Sequence, residues 1–221
     1  MERCVRSRCA FPLLVLIALC CSALLPACCG IHKPFEPMDD KVQIRPGTIA
    51  VISADGSEAT MRLADHLTRA LKERSTFKVL SQEEVARRVG KYPVTIKEGQ
   101  PENTDRPVWF AKGEKSKVDA MQAQIKADYL FVVWTGNLSR ITSTSSQGGS
   151  SVSYRVNVDG NVIEYPKGRV IGYSVFGGSK SQSCCLFGKS EGDDINAMLK
   201  DAASEMADKF ISAAKAEKAG K

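Results

Sequence analysis

The chain is poor in the groups that carry most enzyme chemistry. Only two histidines occur, His32 and His66, and each stands isolated. The adjacent Cys184 and Cys185 lack the spacing that lets two thiolates share a metal, so no metal centre is expected. No Gly-x-Ser-x-Gly elbow is present, and the segments Ser75 to Lys78 and Ser212 to Lys215 are too short to imply acyl transfer; they read as solvated ends of elements. Gly188, Lys189 and Ser190 invite a phosphate-loop reading, but that pattern needs glycine at position 183, which holds Ser183. No run of five or six like charges occurs, which removes the electrostatic footprint of a nucleic-acid binder. These absences point away from catalysis, from a bound cofactor and from nucleic acid. A thiol nucleophile at Cys184 or Cys185 is the one enzymatic alternative, and neither histidine stands in an interpretable relation to it.

What is present is an export signal. Arg3, Arg6 and Arg8 precede an apolar run from Phe11 to Leu25, too short to span a bilayer, which takes about 20 apolar residues. The run closes on Leu25, Pro26, Ala27 and Cys28. That ending resembles the lipobox of bacterial lipoproteins, with Pro26 where small or polar residues are commoner. The resemblance implies cleavage between Ala27 and Cys28, a diacylglyceryl group on the Cys28 thiol and an acyl group on the freed amine. Each buried methylene contributes about 0.8 kcal/mol and one chain holds only marginally, so two or three chains would anchor the protein stably. The alternative is an ordinary signal peptide cut near Ala23 or Ala27. Cys29 stands where a lipoprotein kept at the inner membrane usually carries Asp. By that family's rule the destination is the outer membrane, on its periplasmic face.

Cutting before Cys28 removes Glu2 and three arginines from a chain of net charge +6, leaving a mildly basic protein. Of the eight cysteines, Cys4, Cys9, Cys20 and Cys21 leave with the signal. With Cys28 committed to lipid, Cys29, Cys184 and Cys185 remain, an odd number in an oxidising compartment. A strained Cys184–Cys185 bridge, a bridge from Cys29 to either one, and an intermolecular bridge are all open.

The expected organisation is a signal peptide over 1–27, a lipidated, proline-containing tether over 28–46, one α/β domain over 47–215 and a frayed tail over 216–221. With Pro34, Pro37 and Pro46 and no helical periodicity, the tether would hold the domain up to roughly 50 Å from the bilayer. Thr48 to Ser53 reads as a buried strand, and Asp55 with Glu58 as a capping box for a helix bearing Met61, Ala64, Leu67 and Leu71 on one face. Phe77 to Leu80 reads as a strand, and Ser81 with Glu84 as a second capping box for a helix stopped by Gly90. Lys91 to Glu114 is a long polar loop in which Trp109 and Phe110 are either a partner contact or packing beneath the loop. A short helix with Val118, Met121 and Ile125 on one face leads to Asp128–Trp134, the most apolar run of the mature chain and its expected central strand.

Ser139 to Ser151 is Ser/Thr/Gly-rich and reads as a flexible hairpin tip or strand connection. Val152 to Glu164 reads as a strand bulged near Gly160, turning at Pro166–Gly168 and returning over Arg169–Phe176; a turn at Asp159–Gly160 is a close competitor. Gly177 to Gly192 reads as a loop, followed from about Asp193 by an amphipathic helix burying Ile195, Met198, Leu199, Ala202, Met206, Phe210 and Ile211. The expected fold is therefore mixed α/β, one domain with a sheet of about five strands, helices packed on it and a closing C-terminal helix.

This order of elements behind a lipobox resembles the periplasmic lipoproteins and domains that include the curli secretion channel lipoprotein, the outer-membrane activators of penicillin-binding proteins and the N-terminal domain of the Tol-system propeller protein. The resemblance lies in Ile49–Ile52, Ala64–Leu71, Phe77–Val85, Ala127–Leu130, the hairpin over Val152–Phe176 and the last helix. It implies no catalytic residues, a membrane anchor through Cys28 and a protein partner in the cell envelope. An oligomeric secretion channel is the second expectation, although no clear long amphipathic hairpins of the channel type are legible.

Overall fold

The computed structural model describes residues 32–38, 42–99, 110–111, 113–136, 138–144, 150–183 and 191–216. The elements in order are β1 (His32–Pro37), β2 (Thr48–Ser53), α1 (Glu58–Arg74), β3 (Lys78–Val79), α2 (Gln82–Val89), α3 (Glu114–Ile125), β4 (Tyr129–Thr135), β5 (Ser139–Thr144), β6 (Ser150–Glu164), β7 (Arg169–Ser183) and α4 (Glu191–Ala216). They build one mixed sheet of seven strands, ordered β1-β7-β6-β4-β2-β3, with β5 also paired to β6. The fold class is as expected, with more strands than the five read from the sequence.

The middle of the sheet explains the apolar runs. β2 lies parallel to both β3 and β4, and Ile49 stands opposite Tyr129. Alternate residues of β2 and β4 point to opposite faces, and helices cover both. On one face Val51 and Phe131 pack with Leu63 and Leu67 of α1 and with Met206 and Phe210 of α4. On the other, Ile52, Leu130 and Val132 pack with Val85 of α2 and with Val118, Met121 and Ile125 of α3. Strands buried on both sides have no polar alternation, which is what the sequence shows there.

Several boundaries differ from expectation. Residues 32–37 lie in the stretch read as tether, yet they form β1, antiparallel to β7, with His32 opposite Phe176 and Pro37 opposite Gly172. Pro34 and Pro37 break helical periodicity, but an edge strand tolerates proline because one row of its N–H groups needs no partner. Phe35 is 7% exposed and meets Phe210 edge-on, with centroids 5.4 Å apart at 87°. The cap of α1 is Ser57, whose Oγ accepts from the Thr60 N–H at 3.3 Å. Asp55, expected as the cap, instead accepts from the Ser57 N–H at 2.9 Å, an Asx turn that delivers the chain to the helix.

The Ser/Thr-rich segment is a strand in its first half: β5 pairs with β6 from Ser139 opposite Arg155 to Thr144 opposite Ser150. β7 runs on to Ser183, through residues expected to be loop. The hairpin turn falls at Pro166–Gly168, with Gly168 at φ +59, and not at Asp159–Gly160. The register shift lies between Val162 and Ile163, not at Gly160. The buried residues of α4 include Met198, Leu199, Ala202, Met206, Phe210 and Ile211, as its periodicity predicts. The signal, Ala27, Cys28, Trp109, residues 145–149, Cys184, Cys185 and residues 217–221 lie outside the described residues.

Candidate functional site

Beyond the anchor sequence, the fold offers a cleft at the carboxyl ends of its parallel strands. The helix after β2 packs on one face of the sheet and the helices leading to β4 on the other, so the crevice between those two strand ends is where an open α/β sheet most often takes a ligand. A hollow of about 610 Å³ lies there, lined in part by Asp55, Ser57, Arg62, Thr135, Leu138 and Ile195. Thr60 locks its floor: its Oγ1 lies 2.6 Å from Thr135 Oγ1 and accepts from the Thr135 N–H at 3.2 Å.

The donors at the start of α1 already face Ser57 and Asp55, and Glu58 pairs with Arg62 at 2.5 Å. Among the described residues no lining hydroxyl there is paired with a histidine. His66, expected as a polar position on the first helix, is half-buried with Nε2 2.8 Å from Asn196 Oδ1, tying α1 to α4.

Polar residues that join α1 on one face to α2 on the other form a network that sequence reasoning did not find. Tyr92 OH accepts from the Ser53 N–H at 2.8 Å and donates to Gln82 Oε1 at 3.0 Å, while Gln82 Nε2 donates to Val51 O at 2.9 Å and Thr68 Oγ1 at 2.8 Å. Burial pushes the Tyr92 phenol up to about 12, so it stays a donor. Tyr92 lies in a stretch without periodicity, and the strand end it serves is distant in sequence.

Among the described residues, Asp159 on β6 is a strongly perturbed carboxyl. Burial, and then the charge of Glu98, push it up to about 6. Burial also raises Glu98. Glu98 bridges to Phe110, whose ring is half-buried against Trp134 with centroids 5.6 Å apart, and Trp134 Nε1 donates to Ile96 O at 3.1 Å. The structure therefore places Phe110 against the second core cluster; Trp109 is not described.

A shallower hollow of about 450 Å³ lies at the other end of the strands, among Asp119, Gln122, Lys126, Asp128 and Tyr165. There Tyr165 OH donates to Asp119 Oδ1 at 2.6 Å, and Lys115 Nζ stands 2.8 Å from Asp119 Oδ2. Partial burial works to raise Asp119, but the bonds from Lys115 and Tyr165 hold it below the usual carboxylate range. Among the described residues no group of three or more His, Cys, Asp or Glu could hold a metal, and no helix is long and apolar enough to cross a membrane.

No family model and no curated protein matches the chain. Solved structures similar to it include a PelC dodecamer from Paraburkholderia phytofirmans, at a TM-score of 0.39 and 10% identity over 77% of this chain and 95% of that one. A lipoprotein from Neisseria meningitidis matches with TM-score 0.38 and 12% identity over 74% of this chain and 99% of its own. A minor lipoprotein from Acinetobacter baumannii gives 0.37 and 10%, over 80% and 96%. Likeness at this level transfers no residue role to the chain.

Proposed function

We propose that the chain is a lipid-anchored, non-catalytic binding or assembly protein of the bacterial cell envelope, held by acyl groups on Cys28 at the periplasmic face of the outer membrane. One observation carries this reading: the apolar run from Phe11 ends on Leu25, Pro26, Ala27 and Cys28, with Cys29 following where Asp would signal retention. The partner is a cell-envelope protein.

Labelled palmitate fed to cells making the wild type and Cys28→Ser tests the anchor. The reading expects label in the wild-type band and its loss in the variant. Equal labelling of both would remove Cys28 as the site.

A second reading, a subunit of an oligomeric channel, draws support from the outer edge of β5, which has no partner strand among the described residues. Against it stands the β6–β7 hairpin, whose apolar alternation at Val156 and Val158 is already buried in the first core cluster. The native mass of detergent-extracted protein separates the two: monomer or dimer for the accessory protein, a large closed ring for the channel.

A further inference from the structure

The strand β1 changes what an anchor at Cys28 means. Cys28 lies four positions before His32, and His32 is already in the sheet, opposite Phe176. Four residues span at most ~14 Å even when fully extended. The acyl chains therefore begin within that distance of β1's first residue, and the domain has no slack to stand off the membrane.

Beyond that level the sheet continues as an arm. β7 runs from Phe176 to Ser183, β6 begins at Ser150, and β5 lies beside it. Seven further residues of strand carry β7 ~23 Å past the point where β1 joins. The arm is thus longer than the reach of the anchoring segment, so the bilayer that holds Cys28 lies beside the arm.

The arm's surface suits that position. Two large apolar side chains are exposed among the described residues: Leu138 (44%), which lines the cleft beside α4, and Ile141 (47%), which lies on the arm. Ile141 stands opposite Ser153, and Ser139 opposite Arg155, so these four share the side of the sheet turned away from α4. Arg155 and Ile141 are exposed there and Ser153 is half-buried. A basic group for phosphate, small hydroxyls and an apolar side chain on one face are what an interfacial segment presents to lipid.

We propose that the face of the β5–β6–β7 arm bearing Ile141 and Arg155 rests in the headgroup layer of the same bilayer that holds the lipid on Cys28. This rests on the lipid-anchor reading above. It puts the Pro166–Gly168 turn, at the far end of the β6–β7 hairpin, farthest from the membrane contact.

The test places the full acylated protein in phosphatidylethanolamine–phosphatidylglycerol vesicles with brominated acyl chains. Ile141→Trp, at an exposed site that accommodates the larger ring, should show its added emission quenched at least about twofold. Lys167→Trp, at the opposite turn, should be unquenched. Adding Arg155→Glu to Ile141→Trp should weaken the quenching by lifting the arm from the phosphates. Vesicle-bound protein in which Ile141→Trp is quenched no more than Lys167→Trp overturns the arm contact while leaving the anchor standing. Blue-shifted but unquenched emission would do the same and assign the arm to a second copy. Protein that fails to float with vesicles and has no acyl mass on Cys28 overturns both readings.

Discussion

Removing the Phe35 ring tests whether residues 32–37 belong to the folded domain. The ring sits over Gly172: a Cβ built there would lie 2.4 Å from its Cε2 and Cζ atoms, and Phe210 meets it edge-on at 5.4 Å. Burying a phenyl ring and leaving a cavity in its place puts Phe→Ala at 3–5 kcal/mol, and an edge strand that can partly collapse belongs at the low end, about 3 kcal/mol. With a urea slope of about 2 kcal/mol per molar, Phe35→Ala should lower the unfolding midpoint by about 1.5 M without changing the slope. Gly172→Ala alone should cost about 1–3 kcal/mol through overpacking. In the Phe35→Ala background its added methyl has room, so the double variant should cost clearly less than the sum. Urea unfolding of the four proteins, followed by circular dichroism, reads all of this. A loss below about 1 kcal/mol for Phe35→Ala, with additive effects at position 172, would refute the strand and restore a tether.

Other outcomes follow from single contacts. Ser57→Ala should destabilise by about 1 kcal/mol, because the Thr60 N–H loses its cap, and thermal melting would show it. Ser174 is 1% exposed and its Oγ has no hydrogen-bond partner among the described residues, so Ser174→Ala should be neutral or stabilising by up to about 1 kcal/mol in the same assay. Asp159, held near 6 when folded, binds its proton more tightly in the native state than in the unfolded chain, where it titrates near 3.9. Its contribution to stability is therefore full below pH ~4 and lost as pH rises through 6. Asp159→Asn should remove a pH-dependent stability change of about 2 kcal/mol across that window, measured by urea midpoints at pH 4 and 7.

How much of this was legible depended on the range of the interactions. β2, β4, α1 and α4 carry periodic or uninterrupted apolar patterns and were read correctly in kind. β1 was missed because prolines 34 and 37 and short length look like linker, and only its neighbour β7 makes it a strand. β5 was missed for a similar reason: Ser139–Thr144 has linker composition, and its pairing with β6 is supplied by the register of a distant segment. The cap moved from Asp55 to Ser57 because both residues can close a turn and the sequence does not rank them. Of the candidate sites, Cys28 could be proposed from the sequence alone, whereas the Tyr92–Gln82 network and the Asp159–Glu98 pair join residues far apart in the chain. Phe110 was legible only as one of two alternatives, and its contact with Trp134 became visible with the fold.

What is attached to Cys28 decides whether the protein is a lipoprotein. The most direct test is the mass of the N-terminal peptide of protein extracted from membranes. We predict a peptide beginning at Cys28 and carrying three acyl chains, two through a glyceryl thioether and one on the amine. A peptide beginning at any other residue, or at Cys28 without lipid, would contradict it.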